Sequence, residues 1–450
     1  MPAQEGTGVE AARLQGLVGI GLLVGLAWLI RERRGRLDWP LVGLGIALQF
    51  VLAIVLLKVP GPAHALGLFS KGVAGVISKA DAGIAFVFSR ELVTVQGDWG
   101  YIFAVRVLPI IIFFAALMSV LYYLGVMQRV VAALAWLLRR SLGVTGAEAL
   151  AMASNVFVGQ TEAPLCIRPL LEKMTRAQIM TLMVGGFATI AGSVLAAYVA
   201  FLAPGQLDAA GRLPQAVLDQ RAVWIKHLIT ASVMSAPAAF IMARILVAEV
   251  DTPPDEHVSA IAQAEKPANV FDAAAIGATD GLRLALNVGA MLIAFVALLA
   301  LVSWPIEALG EHFDPLHRWL ESRGIEHLNL QVIFGWVFAP LAWTIGVPWE
   351  ECGFFGGLLG QKIVLTEFFA YVDLAADMNS AVPRLSQRSA TIAAYALCGF
   401  ANFASIGIQI GGLSALAPGK RKEFTQLALR AMVGGAFASW MTAAIAGIVL

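Results

Sequence analysis

Met152-Ala153-Ser154-Asn155-Val156-Phe157-Val158-Gly159-Gln160-Thr161-Glu162-Ala163-Pro164-Leu165-Cys166-Ile167-Arg168 is the stretch on which the fold turns. It is apolar, yet Asn155, Gly159, Gln160, Thr161, Glu162 and Pro164 interrupt it, so it does not make a simple membrane span. In hydrocarbon, irregular backbone is tolerated only where protein buries it or where it lines a wet cavity. A second stretch, Asn329 to Tyr371, has the same character, with Gly346, Pro348, Glu350, Glu351, a run of glycines and Glu367. The two share words in the same order. Thr161-Glu162 is followed by Gly186-Phe187-Ala188-Thr189-Ile190-Ala191, and Thr366-Glu367 by Gly399-Phe400-Ala401-Asn402-Phe403-Ala404. An acid-bearing hairpin followed by a Gly-Phe-Ala helix, twice over, is the pattern of an inverted-repeat transporter whose site lies where the broken segments meet near the midplane. With so few matched letters, chance likeness of apolar sequence is the competing explanation.

The rest of the chain agrees with a membrane setting. Of 450 residues, 59% are hydrophobic and 14% charged, against about 25% charged in soluble domains. Net charge is +1, which offers no basic surplus for a nucleic-acid partner. Eight apolar runs can each cross a bilayer core, which takes about 20 helical residues: Leu14 to Ile30, Leu41 to Leu57, Tyr101 to Gly125, Ala177 to Leu202, Val223 to Ala248, Leu284 to Trp304, Ala390 to Leu416 and Thr425 to Leu450. The first is preceded by acids and has no small-residue cleavage site, unlike a secretory signal. Arg31, Arg33, Arg34 and Arg36 in the first loop and Lys420, Arg421 and Lys422 in the last place both loops in the cytoplasm and both termini outside. Val130, Leu134, Leu137 and Leu138, between Arg129 and Arg139/Arg140, predict an amphipathic helix lying in the interface. The three cysteines, Cys166, Cys352 and Cys398, have no CxxC spacing and are expected to serve packing. The expected organisation is two leading spans over 1–60, an interfacial segment over 61–100, a first repeat over 101–249, a cytoplasmic linker over 250–281 and a second repeat over 282–450.

A carboxylate inside a membrane segment costs on the order of 3 kcal/mol, so Glu162 and Glu367 need a purpose. A structural ion pair is the plain one. A bound solute or cation is favoured because neither hairpin tip holds a Lys or Arg. The polar set Gln160, Thr161, Glu162, Glu367, Asn402 and Ser405 lacks a basic cluster, which disfavours phosphates and carboxylates. A neutral polyhydroxylated solute fits better, since a carboxylate accepts from two neighbouring hydroxyls and an amide both donates and accepts. Phe400 is either a flat face for a base or a core aromatic. No Ser/His/Asp set, Gly-rich nucleotide loop or HExxH motif is present, and the chain is not read as an enzyme.

Three long motifs in order now carry a resemblance: Asn155-Val156-Phe157-Val158-Gly159-Gln160-Thr161-Glu162-Ala163-Pro164-Leu165, Gly360-Gln361-Lys362 through Thr366-Glu367-Phe368-Phe369-Ala370-Tyr371, and Ala396-Leu397-Cys398-Gly399-Phe400-Ala401-Asn402-Phe403. Together they resemble the concentrative nucleoside transporters over roughly Tyr101 to Leu450. The resemblance implies an all-α polytopic protein of the inner membrane, with eight transmembrane helices, two re-entrant hairpins, a fixed scaffold and a transport domain moving as an elevator, assembled as a homotrimer. It implies that Gln160, Thr161, Glu162 and Val194 face the base, that Glu367, Asn402 and Ser405 hold the ribose, and that Phe400 packs on the base. It further implies a sodium site of the Asn155 side chain, the Thr189 hydroxyl and the carbonyls of Val158, Thr189 and Ile190; a Thr189 hydroxyl bonded back to its own helix is the plain alternative. Two positions depart from the family: Thr366 where Asn is usual and Ala404 where Ser is common. The function expected is import of nucleosides by sodium symport, with no cofactor beyond the coupling ion. A proton-coupled symporter and a nucleoside-binding sensor that does not transport are the alternatives.

Overall fold

The computed structural model describes residues 3–33, 35–89, 92, 102–205, 213–252, 267–321 and 327–450, and among these the regular structure is all helix. Two helices lead, Ala3–Leu29 and Trp39–Leu57, followed by Pro60–Ile77 and Ala80–Phe88. The segment expected to lie in the interface, 61–100, is therefore largely helical as far as residue 89; of its remainder, only residue 92 is among the described residues.

The two halves then run through the same order of elements. The first has Leu108–Tyr123, an amphipathic helix Val126–Leu142, the short Gly146–Asn155, a break at the acid, the turns Ala163–Ile167 and Arg168–Leu171, a helix split into Arg176–Ala188 and Gly192–Leu202, and Gln215–Leu246. The second has Val270–His312, the short Asp314–Glu321, Leu330–Thr344, Trp349–Val364, a break, Glu367–Met378, a helix split into Gln387–Leu397 and Phe403–Leu416, and Arg421–Val449. Both interrupted stretches are thus helix–break–helix units, with Glu162 and Glu367 at the breaks.

Local chemistry explains the joints. Thr145 with Glu148 and Thr175 with Gln178 are reciprocal capping boxes that start the helices on either side of the first break. Gly399 has φ +135°, and a Cβ there would lie 2.7 Å from the Phe187 carbonyl oxygen, so only glycine lets the break at 398–402 cross the end of Arg176–Ala188. Leu330–Thr344 and Trp349–Val364 fold back on each other with a 117° bend. Their seam is glycine: a Cβ at Gly356 would lie 2.8 Å from the Gly335 carbonyl, and one at Gly335 would strike the Gly353 carbonyl. At the end expected to be cytoplasmic, Arg244 bonds Glu148 at 2.8 Å and Glu249 at 2.9 Å, Glu249 accepts from Thr175, and Gln178 donates to Thr145. This network ties the start of the first hairpin to the helices beginning at Arg176 and ending at Leu246.

One expectation, the extent of the linker, is corrected. Six described helices are long and apolar enough to cross a membrane, or up to seven if the bent pair is one span. The run Ala390 to Leu416 falls short because it is two helices separated by the break at 398–402. The linker drawn to residue 281 overlaps Val270–His312, whose start is fixed by Asn269 accepting from the amides of Phe271 and Asp272; Asp272 and Asp280 gave a helical stretch the look of a loop. Residues 253–266 lie outside those described. On Val126–Leu142 the buried stripe is Met127, Val131, Leu138 and Leu142, while Val130 is exposed. This helix carries more apolar residues than the core covers, so Val130 and Trp136 face outward.

Candidate functional site

The first half of the site is built around Gly185 and Gly186 on Arg176–Ala188. Asn155 ends Gly146–Asn155, is buried, and has neither amide atom in a hydrogen bond. Its Nδ2 lies 3.3 Å from where a Cβ on Gly185 would stand. Thr189 is buried in the break after the same helix and donates to the Gly185 carbonyl at 2.9 Å. The back-bonded hydroxyl weighed from sequence is therefore present, but it spends only the proton and leaves the oxygen lone pairs free to face a cation. Ile190 is buried beside it. The hairpin tip docks on this break, where the Gly192 amide donates to the Phe157 carbonyl at 2.9 Å. Asn155 and Thr189 thus converge on Gly185, and an unpartnered buried amide among neutral oxygens suits a hard monovalent ion.

At the tip, Glu162 accepts from the Gly159 amide at 3.0 Å, and Thr161 and Glu162 are exposed while Gln160 is buried. Thr161 reaches the second half: its Cγ2 is 3.3 Å from a Cβ placed on Gly412. Val194 is buried in the first turn of Gly192–Leu202.

The second half centres on Glu367, the first residue of Glu367–Met378. Its Oε1 accepts from the Tyr198 hydroxyl and its Oε2 from the Asn402 amide, both at 2.9 Å. Asn402 caps Phe403–Leu416, with its Oδ1 accepting from the Ser405 amide at 2.8 Å. Two helix N-termini therefore meet at one buried carboxylate. Phe400 sits half-buried in the break beside Asn402. Glu367, Asn402 and Ser405 are brought together, whereas Glu162 stands on the other interrupted stretch and accepts from the Gly159 amide.

Four buried residues of the site, Tyr198, Tyr371, Lys362 and Gln409, were given no role by the sequence reading. Tyr198 stacks on Tyr371, with ring centroids 4.1 Å apart, and aims its hydroxyl at Glu367. Lys362 is fully buried and donates to the Ala396 carbonyl at 2.8 Å, while Tyr371 donates to Ala394 at 2.7 Å. The second hairpin thereby caps the exposed carbonyls at the end of Gln387–Leu397. Gln409, one turn beyond Ser405, donates to the Met183 carbonyl at 2.9 Å. Of these, only Lys362 left a trace in the sequence, a lone cation in an apolar helix five positions before the acid.

Comparison with known proteins identifies the family of the chain. The chain matches family models described as "Na+ dependent nucleoside transporter N-terminus" over residues 18–91, "Nucleoside recognition" over 104–205 and "Na+ dependent nucleoside transporter C-terminus" over 227–447. It is 40% identical to an "Uncharacterized transporter" of Haemophilus influenzae, covering 97% of each chain. It is 37% identical to "Sodium/nucleoside cotransporter 1" of Rattus norvegicus, covering 98% of this chain and 64% of that one. Its fold matches CNTnw in an inward-facing substrate-bound state, with TM-score 0.85 and 39% identity over 97% of this chain and 98% of that one. A variant of CNTnw in an outward-facing state matches with TM-score 0.84 and 38% identity over 97% of both chains.

Proposed function

The chain belongs to the concentrative nucleoside transporter family, a family of membrane carriers and not of enzymes, and we propose that it imports nucleosides across the inner membrane by sodium symport. The observation that carries the substrate reading is Glu367, buried between Tyr198 and Asn402. Each carboxylate oxygen accepts one donor there and keeps a second lone pair, giving adjacent acceptors for the vicinal hydroxyls of a ribose. Ser405 completes this end. Gln160, Thr161 and Glu162 meet the base from the opposite hairpin, with Val194 and Phe400 as its apolar walls.

Sodium rather than a proton is supported by Asn155, whose buried and unpartnered amide wants a ligand that Thr189 and the carbonyls of Val158, Thr189 and Ile190 would share. Ion and base sites are coupled through consecutive residues: Gly185 faces Asn155 and Gly186 faces Gln160. A cation that pins the first hairpin to Arg176–Ala188 therefore prepares the base site. Thermodynamic linkage makes the effect mutual, on the order of 1 to 3 kcal/mol for couplings of ordinary size.

The repeated order of elements supports an inverted repeat, with the hairpins and split helices forming a transport domain that moves as an elevator against a scaffold. Within that reading eight spans cross the membrane and three copies assemble. Val270–His312 leaves a long apolar flank of Leu286, Ile293, Leu301 and Trp304 exposed on a single chain, which a lipid or subunit contact would cover.

Counterflow tests carriage itself. Liposomes holding the purified protein and loaded with unlabelled uridine are expected to accumulate labelled uridine transiently above its equilibrium level. A protein that binds nucleoside without carrying it gives no overshoot.

A further inference from the structure

A cavity of about 400 Å³ lined by Glu32, Arg33, Arg176 and Gln426 opens at the end of the molecule expected to be cytoplasmic. Its wall is held from several helices. Glu32, in the loop after Ala3–Leu29, accepts from Arg176 Nε at 3.0 Å and Nη2 at 2.7 Å, and from Arg430 Nη1 at 2.8 Å. Arg176 Nη1 turns to Gln426 Oε1 at 3.3 Å and Arg430 Nε to the Ile30 carbonyl at 3.1 Å, while the Glu32 amide donates to the Leu246 carbonyl at 2.8 Å. The loop is thereby fastened to Arg176–Ala188, Gln215–Leu246 and Arg421–Val449. Charge does not balance there. The guanidiniums of Arg33, Arg176 and Arg430 are three positive charges against the one carboxylate of Glu32, an excess of two. Glu423, about one turn before Gln426, offsets none of it, because it is paired with Lys420 at 3.1 Å.

Such a cavity attracts an anion, and the guanidinium fork matches the oxygens of a phosphate. Arg176 and Arg430 are already engaged by Glu32, whereas Arg33 is exposed and open to a ligand. The depth of the cavity points to the source of that phosphate. Trp28 and Trp39 are exposed on either side of the loop, and the Arg31 guanidinium lies 5.7 Å over the Trp28 ring. Exposed tryptophans at span ends sit at the level of the lipid headgroups, and basic pockets between spans on the cytoplasmic side suit anionic ones. We propose that this cavity binds the phosphate of an anionic phospholipid, with Arg33 meeting it and Glu32 holding Arg176 and Arg430 in the wall. A choline headgroup brings its own cation, which the excess positive charge opposes. This inference stands apart from the nucleoside reading.

The test is native mass spectrometry of the purified full-length protein in neutral detergent, titrated with phosphatidylglycerol or phosphatidylcholine at constant ionic strength. It is run on wild type, on Arg33→Gln and on Arg140→Gln, an exposed arginine of Val126–Leu142 outside the lining of the cavity. Wild type is expected to bind phosphatidylglycerol about 10-fold more tightly than phosphatidylcholine, the scale of one charge-assisted hydrogen bond. Arg33→Gln is expected to lose most of that preference and Arg140→Gln to keep it. Equal affinity for the two lipids in wild type overturns the proposal, and so does an equal loss in both variants, which would mean a diffuse attraction to basic loops. Inorganic phosphate that displaces phosphatidylglycerol as effectively as more of the lipid itself would make this a site for a soluble anion and overturn the lipid assignment. The wild-type preference decides the matter even where a variant does not fold.

Discussion

The hydroxyl of Tyr198 donates to Glu367 Oε1 at 2.9 Å, and through this bond the first half of the chain holds the carboxylate supplied by the second. Gln409 returns the connection by donating from the second half to Met183 in the first. The two halves are thus tied to each other twice, with Gly399 and Phe187 in close approach between the split helices.

Removing the Tyr198 hydroxyl leaves a buried carboxylate oxygen short of one donor. Tyr198→Phe is expected to lower the stability of the empty protein by about 1–3 kcal/mol. A bound ribonucleoside supplies hydroxyl donors and recovers part of the loss, so the rise in melting temperature on adding uridine is expected to be larger in the variant than in wild type. Equal rises would mean that the ribose does not reach Glu367.

Asn155→Ala removes the unpartnered amide from the proposed ion site. The sodium concentration giving half-maximal uptake is expected to rise about 10-fold, corresponding to roughly 1.4 kcal/mol, the scale of one lost polar contact to a charge. Uptake measured against sodium at fixed nucleoside checks it, and an unchanged half-saturation point would remove Asn155 from the ion site.

Arg244→Ala removes the cation from Glu148, whose side chain is fully buried, and from Glu249. Breaking such a network from one side costs about 3–5 kcal/mol. A large fall in melting temperature is expected, with much less in Lys71→Ala, whose pairing with Asp219 is solvent-exposed.

Gly399→Ala places a Cβ against the Phe187 carbonyl at a φ of +135° and is expected to abolish the folded carrier, judged by size-exclusion chromatography in detergent. Gly407→Ala is the control. A Cβ there meets nothing within 4 Å, and that variant is expected to fold.

Much of this was legible in the sequence because charges and breaks are costly in an apolar segment. Glu162 and Glu367 marked the two interrupted stretches, and the repeated Gly-Phe-Ala words lie at the joints of two helices that the sequence presented as unbroken spans. The capping boxes Thr145/Glu148 and Thr175/Gln178 were equally available as patterns and mark two helix starts. Tyr198 and Gln409 were not. Each sits in an apolar helix where a tyrosine or glutamine is ordinary, and its importance arises only from contacts about 170 and 230 positions away along the chain, with Glu367 and Met183. Helix ends were obscured for a different reason. Asp272 and Asp280 suggested a loop, while the N-cap at Asn269 set the helix boundary. On Val126–Leu142 several apolar faces compete, and only packing selects Val131 over Val130.

The central claim is that this chain carries nucleosides on a sodium gradient with Glu367 holding the sugar. Uridine uptake into proteoliposomes, at constant pH with external sodium either present or replaced by choline, tests it most directly when run beside Glu367→Gln. Uptake that needs sodium and is lost in the variant is the predicted result. Uptake indifferent to sodium, or unimpaired in Glu367→Gln, would contradict the account.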